Sequence, residues 1–250
     1  MNAKVDFRYH EPRLDMANRL YDAYDFIAKY HRHEVIGLDN VPVFGRCLLV
    51  VNHSLATYDI GMLINRILKD RGRLVRPLGD RALFYWPAIG RILGKTGAVP
   101  AQPNVGEYLL ERDEIALVAP GGMREALRPS REKYQIRWQN RKGFVRLAVK
   151  TQTPIILAAC PEADDLYTVY ENRLTKMVYR SARLPVAAIR GLGPTLIPRP
   201  VKLRHHLSEL LLPPIIDVND DAATERAVEE WHQELSELME TMLEDYKPRI

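Results

Sequence analysis

The chain has 250 residues, of which 46% are hydrophobic and 27% charged, and a formal net charge of +4. This balance excludes a disordered chain, and the mild basicity alone does not indicate a nucleic-acid binder. It suits an anionic membrane surface or a phosphorylated substrate.

The first dozen residues, MNAKVDFRYHEP, carry no apolar core of a signal peptide. From Arg13 to Arg32, Ala17, Leu20, Tyr21, Tyr24, Ile27 and Ala28 recur at helical spacing. The favoured reading is a helix packed on the domain, because its polar face carries both charge signs. The other is an interfacial helix dipping its tyrosines into lipid. RCLLVVN then reads as a fully buried strand, Ile60 to Lys69 as a helix and RLVRPLG as a strand. Arg81 to Leu93 is a helix interrupted near Pro87, Asn104 to Arg112 a helix and IALVAP a strand. Arg141 to Lys150 is a helix, and PIILAAC a buried strand with Pro154 at its start, where a missing N–H is tolerated. Apolar runs of strand length alternating with helical patterns predict an α/β fold, a mainly parallel central sheet flanked by helices. After Pro161, Pro and Gly break the pattern into short strands and turns. A last helix covers 222–246 with the seam Val228, Trp231, Leu235, Leu238 and Met242, capped by Asn219 or Asp220. The organisation expected is an N-terminal amphipathic helix at 1–34 and one domain at 35–250 with that C-terminal helix as its cover. No run of apolar residues reaches spanning length. Cys47 and Cys160 sit in apolar runs and read as buried thiols of a reducing compartment.

Two stretches carry candidate chemistry. In VVNHSLATYDIGML a buried strand ends at Asn52-His53-Ser54, and Asp59 follows six residues after the histidine. A neutral imidazole can take a proton from a hydroxyl, and a carboxylate can orient it. Six helical steps turn a side chain by about 600°, so the two meet only across a loop, with Asp59 starting a helix. The structural alternative is that Asn52 and Ser54 satisfy strand-end backbone groups while Asp59 caps a helix. A metal is not expected, since neither a second histidine nor a cysteine cluster lies nearby. Ser54 sits on no nucleophile elbow. In VAPGGMREALRP a buried strand ends at Pro120-Gly121-Gly122, followed by Arg124 and Glu125. The glycines let backbone N–H groups approach an anion, and Arg124 could clamp a phosphate. The alternative is a tight turn with an ordinary surface pair. Arg131, Lys133, Arg137, Arg141 and Lys142 follow, interleaved with Tyr134 and Trp138.

The order of these blocks resembles the glycerolipid acyltransferase superfamily over roughly residues 35 to 215. Asn52, His53 and Asp59 stand for its first block, RALFYWPAIGRILGKTGAVPAQPN for its second, PGGMREAL for its third, and TPIILAACP for a later one. Five residues separate His53 from Asp59 where the commonest pattern has four. Gly121 and Met123 replace Glu and Thr of the commonest Pro-Glu-Gly-Thr-Arg, a variant similar to the diacylglycerol-acyltransferase-like branch. The resemblance implies a glycerol-phosphate acyltransferase-like fold and transfer of an acyl chain from acyl-CoA or acyl-carrier protein to a glycerolipid or lysophospholipid hydroxyl. It implies His53 as general base oriented by Asp59, with Ser54, Gly121, Gly122, Arg124 and Glu125 at the substrates. No metal or other cofactor is expected beyond the thioester co-substrate, and no nucleic-acid partner. The expected location is cytoplasmic, peripheral on the inner face of a membrane, with Phe84, Tyr85 and Trp86 or the N-terminal helix as contacts. The competing functions are a lipid-binding protein with a degenerate site and a lipid ester or thioester hydrolase.

Overall fold

The computed structural model describes residues 12, 14–170, 188–216 and 220–248. The expected helix's first residue, Arg13, most of the signal-peptide question and the alternative cap Asn219 lie outside the described residues. The helices are α1 (Leu14–Tyr30), α2 (Tyr58–Arg71), α3 (Arg81–Phe84), α4 (Pro87–Lys95), α5 (Pro103–Glu111), α6 (Gly122–Ala126), α7 (Gly143–Thr151) and α8 (Asp221–Tyr246). The strands are β1 (Glu34–Ile36), β2 (Cys47–Val51), β3 (Val75–Gly79), β4 (Val99–Pro100), β5 (Ile115–Val118), β6 (Ile155–Ala159), β7 (Thr168–Tyr170), β8 (Ala188–Arg190) and β9 (Arg204–Leu207).

Strand β2 sits at the centre of a seven-stranded sheet of order β1-β9-β6-β2-β5-β3-β4. All five of its residues are buried. Leu48 and Val50 join an apolar cluster with Val145, Val149 and Trp231 on one face. Cys47, Leu49 and Val51 join Leu63, Ile64 and Ile67 on the other. Side chains alternate across a strand, so a strand covered on both faces reads as an unbroken apolar run. Helices α5, α7 and α8 cover the first face, and α1 and α2 the second.

The mainly parallel α/β sheet expected from the sequence is the one observed. Strands β6, β2, β5, β3 and β4 run parallel, while β9 pairs antiparallel with β6 and parallel with β1. That reversed pair was not expected. Strand β1 has three residues, and β9 carries two adjacent histidines where a strand signal would need an apolar run. Strands β7 and β8 form a separate antiparallel pair. Around Pro87 the expected interrupted helix is two helices, α3 and α4.

Helix α1 packs on α2 instead of standing free. A Cβ on Gly61 would lie 2.3 Å from the Tyr24 ring, so only glycine permits this approach. Ala17 and Tyr21 are buried, whereas Phe26 is exposed. Helix α8 begins at an Asp220 cap whose carboxylate accepts the Ala223 N–H at 2.9 Å. Val228, Trp231, Leu235 and Met242 are buried in its seam, with Leu238 packed at the margin. Among the described residues, no helix is long and apolar enough to cross a membrane.

Candidate active site

Residues 52–57 form the turn from β2 into α2. Asn52 fixes its start: the side-chain carbonyl accepts the Cys160 N–H at 2.8 Å, and the amide donates to the Cys160 carbonyl at 3.3 Å. This ties the ends of neighbouring strands β2 and β6 together. Thr57 then takes a left-handed conformation with φ of 59° immediately before α2, a costly setting for a β-branched residue.

His53 lies between these points, its backbone held from both sides by the third block. Its N–H donates to Glu125 Oε1 at 2.6 Å, and its carbonyl accepts from Arg128 Nη1 at 2.9 Å. Glu125 Oε2 accepts the Arg137 N–H at 2.7 Å. Arg128 is ion-paired with Asp164. Glu125 is 0% exposed, so it is a brace for the His53 turn and not the substrate contact expected from the sequence. Burial raises its pKa, against the lowering pull of Arg128 and the two backbone N–H groups.

The imidazole Nδ1 lies 2.8 Å from the Ser54 carbonyl. A carbonyl only accepts, so Nδ1 carries the proton and Nε2 is the basic nitrogen. Asp59 does not meet His53 directly, contrary to the contact expected from the sequence. Asp59 Oδ1 accepts the Ser54 hydroxyl at 3.3 Å, and Oδ2 lies 3.8 Å from His205 Nε2. Ser54 stands between acid and base. Ser54 is itself buried, so it is a link within the protein and not a substrate contact. Burial lifts the Asp59 carboxyl to about 6, opposed by its own and the Ile60 backbone N–H groups and by Ser54. Burial lowers the His53 pKa, opposed by the Ser54 carbonyl and aided by Arg128.

His53 stands in the wall of a cavity of about 730 Å³, enclosed chiefly by apolar side chains of α1, α2, α3 and β5. Gly122, Met123 and Arg141 line part of its wall, with Arg141 Nη1 donating to the Pro120 carbonyl at 2.8 Å. Gly121 and Gly122 serve different purposes. A Cβ on Gly121 would lie 2.0 Å from Glu125 Oε2, so the glycine clears the path of that carboxylate. Gly122 needs its φ of 50°, and its N–H is committed to the Ala119 carbonyl at 3.0 Å. It is therefore not a free oxyanion donor. Arg124 lies off the cavity wall, 3.4 Å from Gln139 Oε1. Among the described residues, two cations line the cavity wall, Arg81 and Arg141, and Arg141 is the one beside Gly122. Sequence reasoning placed it only within a run of basic residues; Arg128 and His205 went unnoticed, since nothing local marks a buried partner.

The described residues hold one compact set of potential metal donors, Asp59, Cys160 and His205, whose donor atoms lie within 4.8 Å of one another. Burial raises the Cys160 pKa well above its ordinary value, and Asp59 is already engaged by Ser54. The set reads as internal packing behind the turn.

The family model described as Acyltransferase matches residues 32–160. A protein of Bos taurus named "DGAT1/2-independent enzyme synthesizing storage lipids" is 30% identical over 183 residues, 73% of this chain and 53% of that one. An uncharacterized protein of Mycobacterium tuberculosis is 28% identical over 187 residues, 72% of this chain and 52% of that one. The chain spans about half the length of the curated relatives it matches. The crystal structure of the 1-acyl-sn-glycerophosphate (LPA) acyltransferase from Thermotoga maritima shares the fold. Its TM-score is 0.57 at 15% identity, covering 95% of this chain and 82% of that one.

Proposed function

The chain belongs to the acyltransferase family, and from that premise we propose that it moves a fatty acyl chain from an acyl thioester to the hydroxyl of a glycerolipid or lysophospholipid at a membrane surface. The observation that carries this reading is His53, a base with its proton held on Nδ1, in the wall of a largely apolar cavity of about 730 Å³. Each methylene taken from water into such a cavity contributes about 0.8 kcal/mol, so its apolar lining suits an acyl chain.

In the proposed reaction, His53 Nε2 takes the proton of the acceptor hydroxyl as its oxygen attacks the thioester carbonyl. The tetrahedral oxyanion collapses, the C–S bond breaks, and the imidazolium returns its proton to the departing thiolate. One C–O bond replaces one C–S bond, with no redox change. The Ser54 carbonyl keeps Nε2 free throughout, and Glu125 and Arg128 keep the turn in place. Acyl-CoA and acyl-carrier protein are the donors to compare. Arg141 is the group to meet an anionic acceptor or donor phosphate.

Contact with lipid is proposed through the rim of the cavity. Leu83 and Phe84 line it, and next to them Tyr85 is 78% and Trp86 69% exposed. Aromatic rings favour the headgroup level of a bilayer. A peripheral location is proposed, on the cytoplasmic face of a membrane.

The test is incubation with labelled acyl-CoA and a panel of lysophospholipids and neutral glycerides. Acylated lipid is expected, and His53→Ala should lower its formation by about 10²–10⁴-fold at unchanged melting temperature. Free fatty acid formed without any acceptor would identify a hydrolase instead, and binding without turnover a lipid carrier. Sedimentation with anionic and neutral liposomes checks the surface; failure to pellet with either refutes it.

A further inference from the structure

Strands β9 and β1 meet in parallel register with Val35 opposite His205. Behind the active-site turn they bring His33, just before β1, against His205 in β9. Neither lines the cavity, and a fully buried histidine in a strand fills no need of apolar packing. His33 Nε2 and His205 Nδ1 lie 2.9 Å apart. One of the two must donate and the other accept. If His205 Nδ1 donated, its Nε2 would aim a bare lone pair at the Asp59 carboxylate 3.8 Å away. With His33 as donor, the His205 proton sits on Nε2 and points at Asp59 Oδ2. The second arrangement is the electrostatically favoured one. At 3.8 Å the contact is longer than a hydrogen bond, and a movement of about 1 Å would close it, as such contacts tighten when a site is occupied.

We propose that His205 is a positioning residue for His53, acting through Asp59 and Ser54, with its Nε2–H supporting the Asp59 carboxylate and His33 fixing its tautomer. Five residues stand in one file: His33 to His205 at 2.9 Å, His205 to Asp59 at 3.8 Å, Asp59 to the Ser54 hydroxyl at 3.3 Å, and His53 Nδ1 to the Ser54 backbone carbonyl at 2.8 Å, so that Ser54 joins the two halves through its backbone and not through one shared hydrogen bond. The inference rests on His53 being the base of the proposed reaction. Proton uptake on Nε2 makes His53 a cation, and a carboxylate on the far side of Ser54 stabilises it where a carboxylic acid would not. Burial lowers His33 to about 4 and holds His205 well below the ordinary histidine value, so Asp59 faces an N–H dipole and not a second cation. Burial works against the charged form of Asp59, and another donor offsets that.

Two variants and one spectroscopic measurement test this. In His205→Gln the amide nitrogen can occupy the place of Nε2 and donate; His205→Leu keeps similar bulk without a donor. With labelled acyl-CoA and acceptor, His205→Leu should lower kcat about 10–100-fold at unchanged KM, and His205→Gln should restore it to within a few-fold of wild type. NMR of protein labelled with ¹⁵N-histidine should find the Nε2–H tautomer at His205 and the Nδ1–H tautomer at His53. The His53 signals should move in His205→Leu and return in His205→Gln. An Nδ1–H tautomer at His205, or a folded Leu variant with wild-type kcat and His53 signals, would overturn the proposal. If the wild type acylates no acceptor, the reading of the reaction fails, and the tautomers still decide whether the file exists. The wild-type tautomer needs no variant, so a misfolded variant does not blunt the test.

Discussion

Replacing Glu125 with Gln separates a brace from a substrate contact. Both carboxylate oxygens accept backbone N–H groups, from His53 at 2.6 Å and from Arg137 at 2.7 Å. The side chain is 0% exposed. Gln keeps the shape and one acceptor, but turns an NH₂ donor toward a second donor. The lost hydrogen bond to a charged group is worth about 1.5–3 kcal/mol. At about 2–4 °C per kcal/mol for a chain of this size, melting should fall by about 3–12 °C. The charge itself is not the main loss, because Arg128 keeps Asp164 as its partner. Freed on one side, the His53 turn would drift, and a 1 Å misplacement of a reacting group costs about 10²-fold in rate. Thermal melts and steady-state kinetics should therefore show a lower melting temperature and a kcat reduced about 10–100-fold at unchanged KM. Wild-type melting with a raised KM would refute the reasoning and return Glu125 to the substrate.

Three further outcomes are expected. Burial holds the folded Asp59 carboxyl at about 6, above its ordinary 3.8. A folded value above the unfolded one gives stability that is present below about pH 4 and lost as pH rises through about 6. The unfolding free energy of Asp59→Asn, from denaturant titrations at each pH, should thus gain on wild type across that window by on the order of 3 kcal/mol, and stay level above it; a pH-independent difference would contradict this. The acid limb of the pH profile of kcat/KM should have its midpoint below 6.5, because burial and then Arg128 lower His53; a midpoint above 6.5 argues for another base. Gly121→Ala should destabilise by about 1–3 kcal/mol through overpacking against Glu125. Paired with Glu125→Ala, the cost should be less than additive in a double-mutant cycle by thermal melts, and strict additivity would rule out the contact.

The parts of the fold that were legible are those whose burial leaves a local trace. Strands β2, β5 and β6 are apolar runs because both their faces are covered. The β1–β9 pair was invisible because its strands are short, lie at the sheet edge and carry Glu, Arg and His. At the site, His53 announced itself as a histidine ending an apolar strand. Asp59 followed as the acid six residues on, but the spacing did not reveal that Ser54 would stand between them. Glu125 was seen and misassigned, since its partner lies 72 residues away. A signal did exist: a glycine occupies the place where the commonest block has Glu, and a Glu stands one helical turn later. That carboxylate passes over Gly121, where any side chain would collide with it. Arg128 and His205 left no such trace, because their importance comes wholly from distant partners.

The clasp on His53 also governs when a refolding chain becomes competent. Its three fastenings close segments of 72, 75 and 108 residues: Glu125 to the His53 N–H, Arg128 to its carbonyl, and Asn52 to Cys160. Local helices form early, whereas contacts this remote in sequence wait for the sheet to assemble. Regain of helical signal after dilution from denaturant should therefore run ahead of regain of turnover, with the delay set by the joining of β2 to β5 and β6.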